Sequence, residues 1–255
     1  MRVVMVAVKS VPVGGGELRV VDAGFTRDGV SHGIDPLNEV SLEWALRARE
    51  IGAVDRVVAV SMGPETAADA LRQAVALGAD EAVLISDPAL AGADVRTTGR
   101  VLAAAATRLQ ATAVVTGYES ADSSSGVVPA VVAASLGWPL LSRVGDAQLD
   151  ASGLRAMRDL GAGPEKVAVE GPFVMSMVEG HVAARYPKLK AVMAARNAQL
   201  TTWTAGDLEV AITAPALTSE SLRQVAQPAK EARVLSFEDG VAYLAGVLTG
   251  QTADV

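Results

Sequence analysis

Cysteine is absent from all 255 residues of the chain, which excludes disulfides, thiolate nucleophiles, iron–sulfur clusters and Cys-type zinc sites. Histidine is nearly absent: His32 and His181 stand far apart, neither in a short-spaced pair such as HExxH. A dedicated metal site and a Ser/His catalytic pair are therefore without support. Positive charge is scarce, with 22 Lys and Arg against 29 Asp and Glu and a net charge of −7, and aromatics make up only 4%. Neither nucleic acid nor an anionic membrane is expected as the main partner, since both need a basic footprint. No apolar run at the start is long: MRVVMVAVKSV is too short for a signal h-region or a membrane span. It reads as a buried first strand, and a cytoplasmic location is expected.

What is present is an ordinary globular mix, 50% hydrophobic and 20% charged, long enough for one large core or two moderate ones. Apolar runs of strand length alternate with segments of helical period. RVVMVAV (2–8) precedes VSLEWALRARE (40–50), in which Val40, Leu42, Trp44, Ala45 and Leu46 form an apolar stripe. Glu43, Arg47, Arg49 and Glu50 are expected to face water there. DRVVAVSMG (55–63), PETAADALRQAVALGA (64–79), DEAVLIS (80–86), DVRTTGRVLAAAATRLQ (94–110) and ATAVVTG (111–117) continue the alternation. Pro64 and Glu65 are placed to open a helix and Gly78 to close one.

Because VVAV and AVLI are continuously apolar, the strands are expected to be buried on both faces. The predicted fold class is α/β, a doubly wound, mainly parallel sheet. Residues 10–36, punctuated by Gly14 to Gly16 and by Asp28 and Gly29, predict a small hairpin excursion before the first helix. After Pro139, short alternating pieces with turn signals at 150–153 and 161–164 predict an antiparallel extension. A basic stretch, ARYPKLKAVMAARN (184–197), stands out in an acidic chain. A polar tail over 205–233 promises no core, and FEDGVAYLAGVLTG reads as a closing helix.

One stretch carries the clearest chemical signal. TGYESADSSSGVVPAVVAASLGWP (116–139) runs from an apolar strand through small hydroxyl residues into an apolar helix expected to open near Ser125. A helix start after such a loop presents unpaired backbone N–H groups at the positive end of a dipole, a place that suits phosphate. The same residues would equally make a capped βα loop, since Ser is a good N-cap. Neither GxxxxGK[ST] nor GxGxxG is present. The strand ends Ala7 to Lys9, Ser61 to Gly63 and Gly117 would line one crevice at the carboxyl edge of the sheet, or their small side chains merely relieve packing. His32 and His181 read as structural, and Trp44 and Trp138 as core.

The ordered set AVK (7–9), DPLNE (35–39), VVAVSMGP (57–64), ALGAD (76–80), VVTGYESADSSSG (114–126), ASLGWP (134–139) and RYPKLKAVMAAR (185–196) resembles the beta subunit of electron-transfer flavoprotein over nearly the whole chain. The resemblance implies a Rossmann-like, adenine-nucleotide-binding domain over 1–204, with a partner-recognition loop at 177–197. It implies an extended C-terminal arm, 205–255, packing on an alpha subunit that carries most of an FAD site. The chain would be an electron-carrier subunit and not a catalyst. It would hold AMP as a structural cofactor while the FAD of the complex passes electrons from dehydrogenases toward a quinone-linked acceptor.

By position, Ala7, Lys9, Asp35, Pro36, Leu37, Asn38 and Met62 would surround AMP. So would the loop Gly117, Tyr118, Glu119, Ser120, Ala121, Asp122, Ser123, Ser124, Ser125, Gly126, Val127 and Val128, whose helix start would take the phosphate. Tyr186, Leu189 and Met193 fall in the partner-recognition segment, where an exposed Leu inserts into a dehydrogenase pocket. Asp159 matches an acidic position that meets an arginine of the swinging flavin domain. The chain departs from the family at Gly14 and Leu37, where relatives carry aromatics near the flavin. It departs again at GHVAARYP, which replaces the usual Asn-Glu-Pro-Arg run, so an unusual dehydrogenase partner is expected. Other readings are a bifurcating-type subunit with a second FAD in place of AMP, a stand-alone universal-stress-type nucleotide-binding protein, and an adenylate-transferring enzyme.

Overall fold

The continuous apolar runs are strands whose successive side chains enter two different cores. In β1 (Val3–Ala7), Val4 and Val6 belong to one buried cluster while Val3 and Met5 belong to the other. Strand geometry, with alternate side chains on opposite faces, produces that division. The structure is a computed structural model, and it describes residues 1–13, 19–21, 24–26, 30–180, 182–218 and 234–249.

After β1 the chain makes two small antiparallel pairs. β2 (Ser10–Val13) pairs with β5 (Ser31–Ile34), and between them β3 (Arg19–Val21) pairs with β4 (Gly24–Thr26). This is the expected hairpin excursion, though its Gly14 to Gly16 and Asp28, Gly29 punctuation lies outside the described residues. Then come α1 (Pro36–Glu50), β6 (Arg56–Met62), α2 (Ala68–Leu77), β7 (Glu81–Ile85), α3 (Val95–Arg108), β8 (Ala113–Gly117) and α4 (Val128–Leu136). Gly78 closes α2 as expected, its N–H reaching Ala74 O and Val75 O. β9 (Leu140–Asp150), β10 (Gly153–Asp159), β11 (Pro164–Val169) and β12 (Phe173–Met177) follow, then α5 (Leu189–Ala195) and β13 (Thr201–Trp203).

One nine-stranded sheet has the order β11-β10-β9-β12-β8-β1-β6-β7-β13. The pairs from β9·β12 through β7·β13 are parallel, and β9, β10 and β11 pair antiparallel as the extension. α1 and α2 cover one face, where Leu42, Leu46 and Leu71 are buried. α3 and α4 cover the other with Val101, Leu102 and Val132. The fold is therefore α/β and doubly wound, as the two-sided burial of the strands requires. Trp44 is core, its indole N–H donating to Ala147 O at 2.8 Å.

Two local expectations fail. The helix expected near Ser125 begins at Val128, because Ser124 (φ 45°) and Gly126 (φ 62°) hold left-handed backbone that cannot continue into a helix. No serine caps it: its N-cap is Val127, and Pro129 sits in the first turn where a missing N–H costs nothing. Glu43, expected to face water, is 3% exposed. It is buried because two arginines come to it, as described below.

The chain divides into two compact units, Met1–Ser221 and Leu222–Val255. In the second, α6 (Phe237–Leu248) is capped by Ser236, whose hydroxyl accepts from Asp239 N at 3.1 Å. Phe237, Val241, Leu244 and Leu248 recur at helical spacing, and all four are exposed.

Candidate functional site

The strand order places a crevice before any side chain is considered. β6 and β7 add on one side of β1, whereas β8 crosses to the other, so the chain reverses direction between β1 and β8. Open α/β sheets bind ligands at that reversal, outside the carboxyl ends of the strands. Lys9 follows β1, the 118–127 loop follows β8, and these two segments touch.

Asp35 holds the crevice together. It is the N-cap of α1 and is 1% exposed. Its Oδ1 accepts from Leu37 N at 3.0 Å, its Oδ2 accepts from Ala121 N at 2.7 Å, and its own N–H donates to Lys9 O at 3.0 Å. One buried carboxylate thus ties α1, the end of β1 and the Ser-rich loop to one another. Asn38, also buried, accepts from Lys9 N at 2.7 Å through Oδ1. Gly117 sits where a Cβ would fall 2.8 Å from Leu37 Cβ and 2.9 Å from Asn38 Nδ2, so only glycine lets β8 approach α1 this closely.

The loop is braced from inside. Lys9 Nζ donates to Ser120 Oγ at 2.9 Å and Ser123 Oγ at 2.7 Å, and forms an ion pair with Asp122, whose side chain is buried. Ser120 O accepts from Ser124 N at 2.8 Å, and Tyr118 N donates to Met177 O at 2.8 Å. Lys9 is thereby committed to the loop's own side chains. Among the described residues no acceptor takes the backbone N–H of Ser125, Gly126, Val127 or Val128. These successive donors lead into the N-terminus of α4 at the reversal point, an arrangement suited to an anion. Ala7 and Met62 end their strands at the same edge, half-buried, with Pro36 and Leu37 opening α1. Glu119 is exposed. Burial first, and then the Asp35 charge, push the Glu39 carboxyl above its usual range.

Two features here carry no sequence signal. Arg143 has left-handed backbone (φ 57°) at the point where the β9·β12 pairing shifts register. Its guanidinium lies 4.7 Å from the Tyr118 ring centroid, and its Nε donates to Asp159 O at 3.0 Å. The Asp159 turn and the loop after β8 are thus linked through one side chain. Asp159 Oδ1 itself closes that turn, accepting from Gly161 N at 2.6 Å. Asp94 is the second. It caps α3 by accepting from Thr97 N at 2.8 Å, and its other oxygen accepts from Ala216 N at 2.8 Å and Leu217 N at 3.3 Å. Those bonds, the one from Thr97 foremost, hold its carboxyl down at about 2.

The residues expected to face a partner lie elsewhere and point outward. Tyr186 is 95% exposed, Leu189 78% and Met193 54%. His181 is outside the described residues, while His32 lies in β5 opposite Pro12. A groove of about 410 Å³ between α3 and α4, lined by Arg100, Thr107, Leu136 and Glu209 among others, lies toward the other end of these helices, away from the crevice. Among the described residues no cluster of acidic or His side chains could hold a metal, and no helix is long and apolar enough to cross a membrane.

Comparison with known proteins bears on the family of the chain. Residues 25–208 match the electron transfer flavoprotein domain family. The chain is 34% identical over 247 residues to the electron transfer flavoprotein subunit beta of Mycobacterium leprae, covering 93% of each chain. It is 35% identical over 211 residues to the corresponding protein of Thermoanaerobacterium thermosaccharolyticum, covering 81% of this chain and 80% of that one. With the subunit of Bos taurus the identity is 29% over 226 residues, 87% of each chain.

Proposed function

The chain belongs to the electron transfer flavoprotein family, on the side of its beta subunits, and from that premise we propose that it is the structural half of a heterodimeric electron carrier. It binds AMP at the β1/β8 reversal point and pairs with an alpha subunit holding most of the FAD site. The observation that carries the AMP assignment is the run of unpaired N–H groups from Ser125 to Val128 at the start of α4. Those donors would take the phosphate, each worth on the order of a charge-assisted hydrogen bond and helped by the helix dipole. Ala7 and Gly117 leave room for the nucleoside, while Asp35 and Asn38 act on the backbone that shapes the cradle. Lys9, neutralised by Asp122, fixes the loop without adding free positive charge.

FAD, when bound in the complex, supplies the one- and two-electron chemistry; this chain's residues bind, orient and dock. The segment at 177–197 presents Tyr186, Leu189 and Met193 to a dehydrogenase, and Asp159 faces the flavin-bearing domain of the alpha subunit. The arm at 205–255 lies on the alpha subunit, which would cover the apolar stripe of α6. Electrons pass on to a quinone-linked acceptor, and the complex works in the cytoplasm. Acid release and mass spectrometry of nucleotides from the co-purified heterodimer tests this reading. One AMP and one FAD per heterodimer are expected, with the isolated chain colourless. A second FAD in place of AMP would make this a bifurcating-type subunit, and absence of any adenylate would overturn the cradle.

A further inference from the structure

We propose that Arg185 is a positioning residue: clamped between Glu43 and Glu50 of α1, it holds the Tyr186–Leu189–Met193 surface in a docking-ready shape before any partner arrives. This rests on the reading of that surface as the dehydrogenase-facing one, but its geometry stands without it.

Arg185 is bound from several directions. Its Nε donates to Glu43 Oε2 at 2.6 Å and its Nη2 to Glu43 Oε1 at 3.2 Å, a fork-on-carboxylate pair. Nη1 reaches Glu50 Oε1 at 2.6 Å, and the Arg185 backbone N–H lies 3.3 Å from Glu43 Oε2. Arg47 completes the clamp, its Nε bonding Glu43 Oε1 at 2.6 Å and its Nη2 donating to Ala183 O at 3.1 Å. Burial pushes the Glu43 carboxyl up, but the hydrogen bonds from Arg185 and Arg47 outweigh it, so it stays below the usual carboxylate range. A buried carboxylate answered by two guanidinium groups is geometrically specific, and it is tolerated only while both stay in place.

The segment needs such an anchor. α5 has seven residues, too short to be stable alone, and its N-cap, Lys188, makes no side-chain cap bond. Its single buried residue, Ala195, lies at the far end. α5 also packs on α2, with Ala191 and Val192 half-buried, so the exposed surface is held by that packing on one side and by Arg185 on the other. A segment ordered in advance loses less conformational freedom on docking, which favours affinity without any added contact.

The absence of cysteine makes the test direct. A nitroxide is placed on Lys190→Cys, with Ser152→Cys in the β9–β10 turn as a control, in the full-length chain within its complex. Arg185→Met is expected to shift the position-190 spectrum from restricted to fast motion and leave position 152 unchanged. Arg185→Lys should fall between, since an ammonium cannot fork across Glu43 and reach Glu50 together, and Glu50→Gln should loosen position 190 less than Arg185→Met. An unchanged spectrum at 190 in Arg185→Met overturns the proposal. So does equal loosening at both labels, which would mean general destabilisation. No dehydrogenase takes part in this measurement, so it stands or falls apart from the docking reading. If that reading holds as well, Arg185→Met raises KM for the reducing dehydrogenase several-fold with kcat unchanged.

Discussion

Two buried carboxylates on α1, eight positions apart, are used in opposite ways. Asp35, at the first turn, turns inward: its oxygens accept backbone N–H groups from α1 and from the loop after β8, and it shapes the proposed cradle. Glu43, two turns later, faces the segment before α5: its oxygens accept from guanidinium groups, and it supports an exposed apolar segment. A carboxylate satisfied by backbone donors fixes chain geometry and leaves other donors free for a ligand. One satisfied by long side chains fixes a segment while leaving its apolar residues exposed. One helix therefore serves as the base of both regions.

The comparison is broken most severely at Asp35 and the proposed cradle. Asp35→Ala removes a helix cap, at roughly 1 kcal/mol, and strands the Ala121 N–H, at roughly 1–3 kcal/mol. A loss of about 2–4 kcal/mol in denaturant unfolding is expected from those two terms, together with loss of retained adenylate. Asp35→Asn, which keeps one acceptor, should lose less. Gly117→Ala comes next, costing about 1–3 kcal/mol by overpacking against Leu37, and nucleotide content should fall with it. If Gly117→Ala left both stability and nucleotide content unchanged, the close approach of β8 to α1 would not matter to the cradle.

At the exposed segment the expectation reverses. Leu189→Ala removes an exposed side chain, so stability should stay within about 0.5 kcal/mol and FAD content should not change, while electron acceptance from the dehydrogenase slows several-fold. Loss of FAD in this variant would assign the segment to the alpha subunit instead. The smallest effect belongs to Asp94. Its folded pKa, about 2, lies below the unfolded value, so its hold on residues 216–217 is complete above about pH 4 and weakens as pH falls toward 2. Protection of the Ala216 and Leu217 amides, relative to their intrinsic exchange rates, should fall over that window, and Asp94→Asn should show lowered protection already at neutral pH.

Much of the fold was legible in the sequence because it rests on local pattern. The runs VVAV and AVLI announce strands covered on both faces, Gly78 marks a helix end, and 150–153 and 161–164 mark the turns of the antiparallel extension. The strand ends and the Ser-rich loop that the sequence singles out do meet at one edge of the sheet, where Asp35 and Lys9 tie them together. The wrong details were those that depend on distant partners. Glu43 reads as a solvent-facing helix residue because α1 itself contains no reason to bury it; the reason, Arg185, lies 142 positions away. Ser125 reads as a helix start because serine caps well, but Gly126 and Ser124 adopt left-handed backbone and displace the start to Val128.

The sequence by itself determined the order of strands and helices, the two-sided burial of the sheet and the family, since periodicity, turn residues and motif order are properties of neighbouring positions. Only the tertiary structure decided which charges are committed. It spent Lys9 on Ser120, Asp122 and Ser123, set Arg143 over Tyr118, pinned residues 216–217 to Asp94 and clamped Arg185 on Glu43. Charges pair across whatever elements the chain topology brings together, and that juxtaposition exists only once the sheet is assembled.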